Sequence, residues 1–339
     1  MTVINILLLI SIVGVSFFLT KGMIVLGQRQ ALLAIPNERS SHHSPTPTCG
    51  GLAILLAYLI FCVWYGFYLG HGDSKLFRFT ALAVGVGFLG YVDDRIQLAA
   101  RWRLPLHFLA AIILVVGIKK LPEIAVLGWV LEWKSVALIV YVLGLVWLVN
   151  LFNFMDGIDG IAAVEAITVS IGAAFILWMN GQLDYVVWLI ALALSVAGFT
   201  LLNWAPAKIF MGDIGSGFLG FIIGGFLLIT ASGEGITLWS WVVLLAVFVA
   251  DATVTLVVRG LRKEKIYEAH RSHAYQILSR RWHSHAKVSL LVLGINVLYL
   301  YPLAFLATLW PDMGLLIAAC AYLPILYVVW KIGAGTTND

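Results

Sequence analysis

Apolar residues in this chain run in long blocks of 15–23, separated by short polar breaks. A bilayer's hydrocarbon core, about 30 Å thick, takes roughly 20 helical residues at about 1.5 Å rise each. The blocks therefore predict eleven membrane-spanning helices, near 3–20, 50–70, 77–92, 104–118, 135–152, 160–180, 184–203, 215–232, 237–258, 287–309 and 313–330. The third and fourth are the shortest. The first block lacks the basic leading segment of a secretory signal, since its first cation is Lys21, behind it, and no small-residue cleavage motif follows. It is expected to be a span.

Composition agrees. Of 339 residues, 62% are hydrophobic and 11% charged, and the mean hydropathy is +0.99. Soluble domains carry about a quarter charged residues, so a soluble enzyme is excluded, as are disorder, coiled coil, collagen and a disulfide scaffold. The expected fold is all-α: a polytopic integral membrane helix bundle forming one transmembrane catalytic domain over 1–339, with a basic cytoplasmic loop at 259–286. Cys49, Cys62 and Cys320 form no CxxC pair and suggest neither disulfide framework nor zinc site.

The net charge of +4 calls for no nucleic-acid partner, because a basic inner face is what membrane insertion produces. With the N-terminus outside, the inner segments hold 16 of the 21 Lys and Arg; Lys75, Arg78, Lys119, Lys120 and Lys134 are left outside. That bias predicts N-out and C-in topology.

Polar chemistry concentrates on the inner side. Loop 1 reads PNERSSHHSPTPTCGG (36–51), span 3 ends GYVDDR (90–95), span 5 ends NLFNFMDGIDG (150–160), span 7 ends NWAPAKIFMGDIGSG (203–217), and span 9 opens into RGLRKEKIYEAHRSHAYQ (259–276). Asp93, Asp94, Asp156, Asp159 and Asp213 thus gather at one membrane face with few adjacent cations. Carboxylates crowded at a low-dielectric boundary repel one another unless something positive joins them. A hard cation, Mg²⁺ or Mn²⁺, suits such ligands and commonly holds substrate phosphates as well. The glycines of DGIDG and GDIGSG stand where new helices begin, and free N–H groups there favour phosphate oxygens.

The loop at 259–286 adds seven Lys/Arg and four His. A basic juxtamembrane helix would bind anionic lipid, whereas His270, Arg271 and His273 are the better candidates for phosphate contact; on a helix the two histidines would share a face. Asp251, inside span 9, is either functional or a packing residue. Glu165 and His107 are expected to be structural, and most of the thirteen Trp interfacial.

Together VDDR (92–95), NLFNFMDGIDG (150–160), NWAPAKIFMGDIGSG (203–217) and HRSHAYQ (270–276) resemble the bacterial polyprenyl-phosphate N-acetylhexosamine-1-phosphate transferases, in the family's order from PTPTCGG (45–51) to about residue 276. The resemblance implies transfer of a HexNAc-1-phosphate from a UDP-sugar to undecaprenyl phosphate, with release of UMP, at a Mg²⁺-dependent cytoplasmic site in the bacterial inner membrane. It places the metal on Asp213, with Asp94, the paired acidic motif on Asp93 and Asp94, and the nucleotide motif on Asn153, Asp156 and Asp159. Asn203 and Phe210 match nucleoside-holding positions, and His270 and His273 the histidine motif. HRSH departs from the His-rich form of the pentapeptide enzyme and is similar instead to the branch that initiates O-antigen or other surface polysaccharide. Thr48 replaces a common basic residue. The resemblance leaves homodimerisation open, and also leaves open whether Asp93 or Asp94 removes a proton or positions metal and lipid phosphate. A secondary transporter or lipid flippase is the alternative class, but its polar residues should cluster at mid-membrane on broken helices.

Overall fold

The computed structural model describes residues 3–30, 32–34, 45–71, 74–126, 129–130, 133–233, 235–264 and 270–336. Helices account for nearly all of the described structure. In chain order they are α1 (Val3–Arg29), α2 (Gly51–Tyr68), α3 (Ser74–Ile96), α4 (Ala100–Gly117), α5 (Lys134–Met155), α6 (Ile161–Met179), α7 (Leu183–Asn203), α8 (Gly212–Thr230), α9 (Leu238–Leu244), α10 (Ala246–Leu261), α11 (Ala274–Trp282), α12 (His285–Leu309) and α13 (Gly314–Ile332). Two short antiparallel pairs complete it: β1 (Leu33–Ala34) with β2 (Thr46–Pro47), and β3 (Ala125–Val126) with β4 (Trp129–Val130).

Ten of these helices are long and apolar enough to cross a membrane, and α9 with α10 makes an eleventh, bent by 72° at its break. The chain is a multi-pass membrane protein. All eleven predicted spans are present, but several helices outrun their apolar blocks. The third and fourth spans, short in the sequence, are helices of 23 and 18 residues. Backbone hydrogen bonding continues past the last apolar residue, so α3 carries the VDDR segment and α5 carries Asn153 within the helices rather than in loops. The break before α10 has no Pro or Gly to announce it.

Burial sorts the helices into layers. About 89% of the α8 span is buried, against 22% for α4. α8 is the central post, packed by α3, α5 and α2. α4 turns Leu109, Ile113 and Val116 outward, as a lipid-facing helix does. Glycine fixes the closest approach: a Cβ on Gly90 would sit 2.3 Å from the carbonyl oxygen of Asp213. Only a bare Cα lets the end of α3 touch the start of α8. That contact brings Asp93 and Asp94 beside Asp213.

The expected basic loop at 259–286 is largely built structure, with α11 in its middle. His273 is the residue before α11 rather than a position on it, so the histidines do not share a helical face; they stack with ring centres 4.9 Å apart. Arg39 and Lys265, with the rest of 35–44 and 265–269, lie outside the described residues.

Candidate active site

Six segments meet at one end of the bundle: the 45–51 segment, the end of α3, the α5–α6 turn, the α7–α8 loop, α11 and the start of α12. They surround a cavity of about 330 Å³ lined by Asp94, Asn153, Asp156, Asp159, Asn203, Phe210 and Asp213, and also by Thr48, Gln276 and His285. Seven of the residues picked out by sequence therefore face one space.

Each carboxylate has a distinct position. Asp94 takes the backbone N–H of Asp213 (2.9 Å) on one oxygen and that of Ile214 (3.2 Å) on the other. It caps α8 from another helix, where an anion meets the positive end of the helix dipole. Asp213, in the first turn of α8, accepts from Asn153 Nδ2 (2.7 Å) and from Arg103 Nη1 (3.1 Å). Asp93 does not line the cavity: it is 6% exposed, accepts the Leu98 N–H at 2.6 Å on one oxygen and holds Arg103 through the other. Arg103 thus ties two acidic residues 120 positions apart in the chain, Asp93 and Asp213, into one unit.

Asp159 accepts the Ala207 N–H at 3.1 Å, and His285 Nδ1 lies 3.2 Å from its carboxylate. Asp156 follows α5 directly; its backbone N–H donates to the Asn153 carbonyl, and its carboxylate has no hydrogen-bond partner among the described residues. Burial raises its pKa well above the usual carboxylate range, and the negative charges of Asp213, Asp94 and Asp159 raise it further.

The loops are cross-tied by backbone groups. Asn203 accepts the Gly160 N–H (3.1 Å) and donates to the Ile209 carbonyl (2.9 Å), spanning the α5–α6 turn and the α7–α8 loop. The PTPTCGG segment clamps that loop from the other side: Phe210 N–H donates to Pro47 O (2.8 Å), and Gly50 and Gly51 donate to Phe210 O and Met211 O (2.9 and 2.8 Å). Cys49 is buried there, and burial, then the charge of Asp94, pushes its thiol up to about 12.

His270, Arg271 and His273 do not line the cavity. His273 is 2% exposed, its Nδ1 3.2 Å from Asp251. Asp251 also accepts the N–H groups of Ala274 and Tyr275, both at 2.9 Å, so it caps α11 as Asp94 caps α8. Burial, the neighbouring His273 and the Arg259 charge together lower His270 to about 3, which keeps it neutral. α11 reaches the site through its next residues: Tyr275 donates to Phe154 O at 2.9 Å, and Gln276 faces the cavity. Gly157 makes room, since a Cβ there would lie 2.2 Å from the Tyr275 hydroxyl. Asp251 is thus a packing and capping residue. Glu165 is equally internal, accepting from Asn296 at 2.7 Å, and His107 is buried.

Sequence reasoning did not single out Arg103, Gln276 or His285. Arg103 stands beside Arg101 in the same basic run and nothing local separates them; the sole sequence signal was a cation closely following the paired aspartates. None of the described cations at 259–286 lines the cavity, so Arg103 is the cation that meets the acidic cluster.

The residues fit a divalent ion in a restricted sense. Among the described residues no group of three His, Cys, Asp or Glu side chains forms a ready cage. Mg²⁺, however, is commonly held by one or two carboxylates plus water and substrate phosphates. Asp156, unpartnered amid three other carboxylates, is the side chain whose environment most calls for a cation.

Fold and site together define a membrane-embedded protein with an acidic, glycine-lined pocket at one end of its helices. The glycosyl transferase family 4 model matches residues 76–231, the stretch that supplies α3 to α8. Over that stretch the chain is similar to the family. It is 29% identical over 307 residues to a probable undecaprenyl-phosphate N-acetylglucosaminyl 1-phosphate transferase of Bacillus subtilis, covering 86% of this chain and 82% of that one. To the undecaprenyl-phosphate alpha-N-acetylglucosaminyl 1-phosphate transferase of Escherichia coli it is 27% identical, over 75% of this chain and 70% of the other. A phospho-N-acetylmuramoyl-pentapeptide-transferase of Geobacillus kaustophilus is 32% identical, with 55% of this chain and 62% of that protein covered.

Proposed function

We propose that this protein transfers a HexNAc-1-phosphate from a UDP-sugar to undecaprenyl phosphate, releasing UMP, and that it does so with Mg²⁺ (or Mn²⁺) at the cytoplasmic face of the bacterial inner membrane, N-terminus out and C-terminus in. The supporting observation is the convergence of Asp94, Asp156, Asp159 and Asp213 on one cavity at one end of the bundle. The relatives' names supply the substrate class, polyprenyl phosphate and an N-acetylhexosamine phosphate. A single-ended cluster favours an enzyme over a transporter, whose binding groups belong at mid-membrane.

The chemistry follows from charge. A phosphate monoester's second pKa is about 6, so the lipid phosphate is largely dianionic and nucleophilic at neutral pH. An oxygen of that phosphate attacks the sugar-bearing phosphorus of the diphosphate, a new P–O bond forms, and the bridging bond to UMP breaks. Little covalent work falls to the protein; positioning and charge stabilisation dominate. A bound divalent cation would supply the charge that lets two anions meet, with Asp213 and Asp156 as its ligands. Asn153 and Arg103 hold the Asp213 carboxylate in place, and Asp94 keeps the first turn of α8 fixed. Asp93 positions Arg103 through their ion pair. Asp159 and His285, which line the same cavity, would contact the nucleotide. A site at the ends of the spans admits an isoprenoid laterally and a soluble donor from water. Initiation of a lipid-linked surface polysaccharide, such as O-antigen, is the corresponding role.

The test uses purified protein with undecaprenyl phosphate, Mg²⁺ and a panel of UDP-HexNAc donors, following UMP. Release with at least one donor, dependent on both lipid and metal, is expected. No UMP with any donor would refute the assignment.

A further inference from the structure

A second cavity lies at the other end of the molecule. It encloses about 460 Å³ between the start of α3, the end of α4, the start of α7 and the end of α8. α8 begins in the acidic site and ends here; its 19 residues, at about 1.5 Å each, set the two sites roughly 28 Å apart, the thickness of a bilayer core.

Its charge is the reverse of the acidic site's. Of the five Lys and Arg that span order assigns to this end, Lys75, Arg78, Lys119 and Lys120 all line this one cavity. All four are exposed. Among the described residues Lys75 and Lys119 form no ion pair, and Arg78 uses its Nε on the carbonyl of Ser74, at 3.0 Å. Among the described residues two carboxylates oppose them: Asp184 in the lining, and Glu123, 3.2 Å from Lys120. Cations therefore outnumber carboxylates among the described residues there. The floor beneath is apolar, formed by Phe79, Leu82, Leu114 and Ile229, and α4 beside it presents Ile113 and Val116 to the outside.

A basic rim over an apolar floor at membrane-surface depth suits an amphiphile with an anionic head. Four clustered cations suit a phosphomonoester or diphosphate, which is dianionic or more. We propose that this cavity is a second binding site, on the face opposite the acidic one, for the phosphomonoester or diphosphate headgroup of a lipid. The proposal stands on these residues alone, whatever the acidic site catalyses.

Photolabelling of the purified full-length protein in neutral detergent tests it, with a diazirine-bearing long-chain alkyl phosphate as probe and peptide mapping as readout. Saturable labelling of segments 75–82 and 113–120 is expected. Dodecyl phosphate should compete at concentrations at least about tenfold below those of inorganic phosphate, and dodecanol should not compete. Near-surface cations each contribute about 1 kcal/mol toward an anionic headgroup, so Lys75→Gln with Lys119→Gln should weaken labelling about 30-fold, while Lys75→Arg with Lys119→Arg retains it. Thermal melts of both variants confirm folding. Equal labelling of the neutralised variant, or labelling absent from these segments, would overturn the site. Equal competition by inorganic phosphate would overturn the lipid, leaving a free-anion site.

Discussion

Asp251→Asn removes a charge from beneath α11 while keeping the side chain's size. The native carboxylate receives two backbone N–H groups at 2.9 Å and stands 3.2 Å from both His273 Nδ1 and Thr255 Oγ1. It is 3% exposed, so water does not replace what is lost. A hydrogen bond to a charged acceptor contributes about 1.5–3 kcal/mol net. The amide keeps one acceptor and turns its NH₂ toward a backbone N–H, forfeiting one such bond and weakening the other. About 3 kcal/mol of local destabilisation follows, roughly a 150-fold shift in the equilibrium between docked and released α11. Hydrogen exchange by mass spectrometry over peptides spanning 270–283 reads this directly: exchange there should quicken about 100-fold while α8 peptides keep their protection. Because Tyr275 and Gln276 travel with α11, UMP release should fall as well. Unchanged protection of α11 in a folded Asp251→Asn protein would refute the capping role.

Arg103→Ala should reduce turnover at least about 100-fold by leaving the buried Asp93 unpaired and Asp213 loosely held. Arg103→Lys, lacking the planar fork that bridges two carboxylates, should recover little of it; near-normal turnover of either variant would contradict the bridge. Gly157→Ala forces Tyr275 or the α5–α6 turn aside from a 2.2 Å overlap, costing about 1–3 kcal/mol, and a melting temperature equal to wild type would count against that packing. His270 is held near 3 in the folded protein against about 6.5 when unfolded. Its contribution to stability is therefore present above about pH 6.5 and is lost as pH falls toward 3. Thermal melts between pH 7.5 and 5 should decline less steeply for His270→Gln; identical slopes would contradict it.

The span pattern was legible because lipid demands long uninterrupted apolar helices, and each predicted block has a helix in it. Helix ends were not, since backbone hydrogen bonds carry α3 through Asp93 and Asp94 beyond the apolar run. The break at Leu245 comes from packing and has no local marker. Motif residues Asn153, Asp156, Asp159 and Asp213 could be chosen from type and position. What their neighbours do could not: Asp94 as a cap for α8, Arg103 as a bridge and His285 as a wall residue depend on contacts between chain segments 10 to 126 positions apart. The histidines show the converse. Their spacing suggested phosphate contact, and the structure sets His273 against Asp251 behind the cavity. Lys75, Arg78, Lys119 and Lys120 looked like scattered exceptions to a charge bias until the fold drew them together.

The most direct measurement is Mg²⁺-dependent UMP release by Asp156→Asn and Asp213→Ala, each beside a thermal melt in the same detergent. Both proteins should melt within a few degrees of wild type and release UMP at less than about one hundredth of its rate at any Mg²⁺ concentration. Wild-type turnover with unaltered Mg²⁺ dependence in either would mean that the carboxylates at the end of α5 and the start of α8 are not where the reaction takes place.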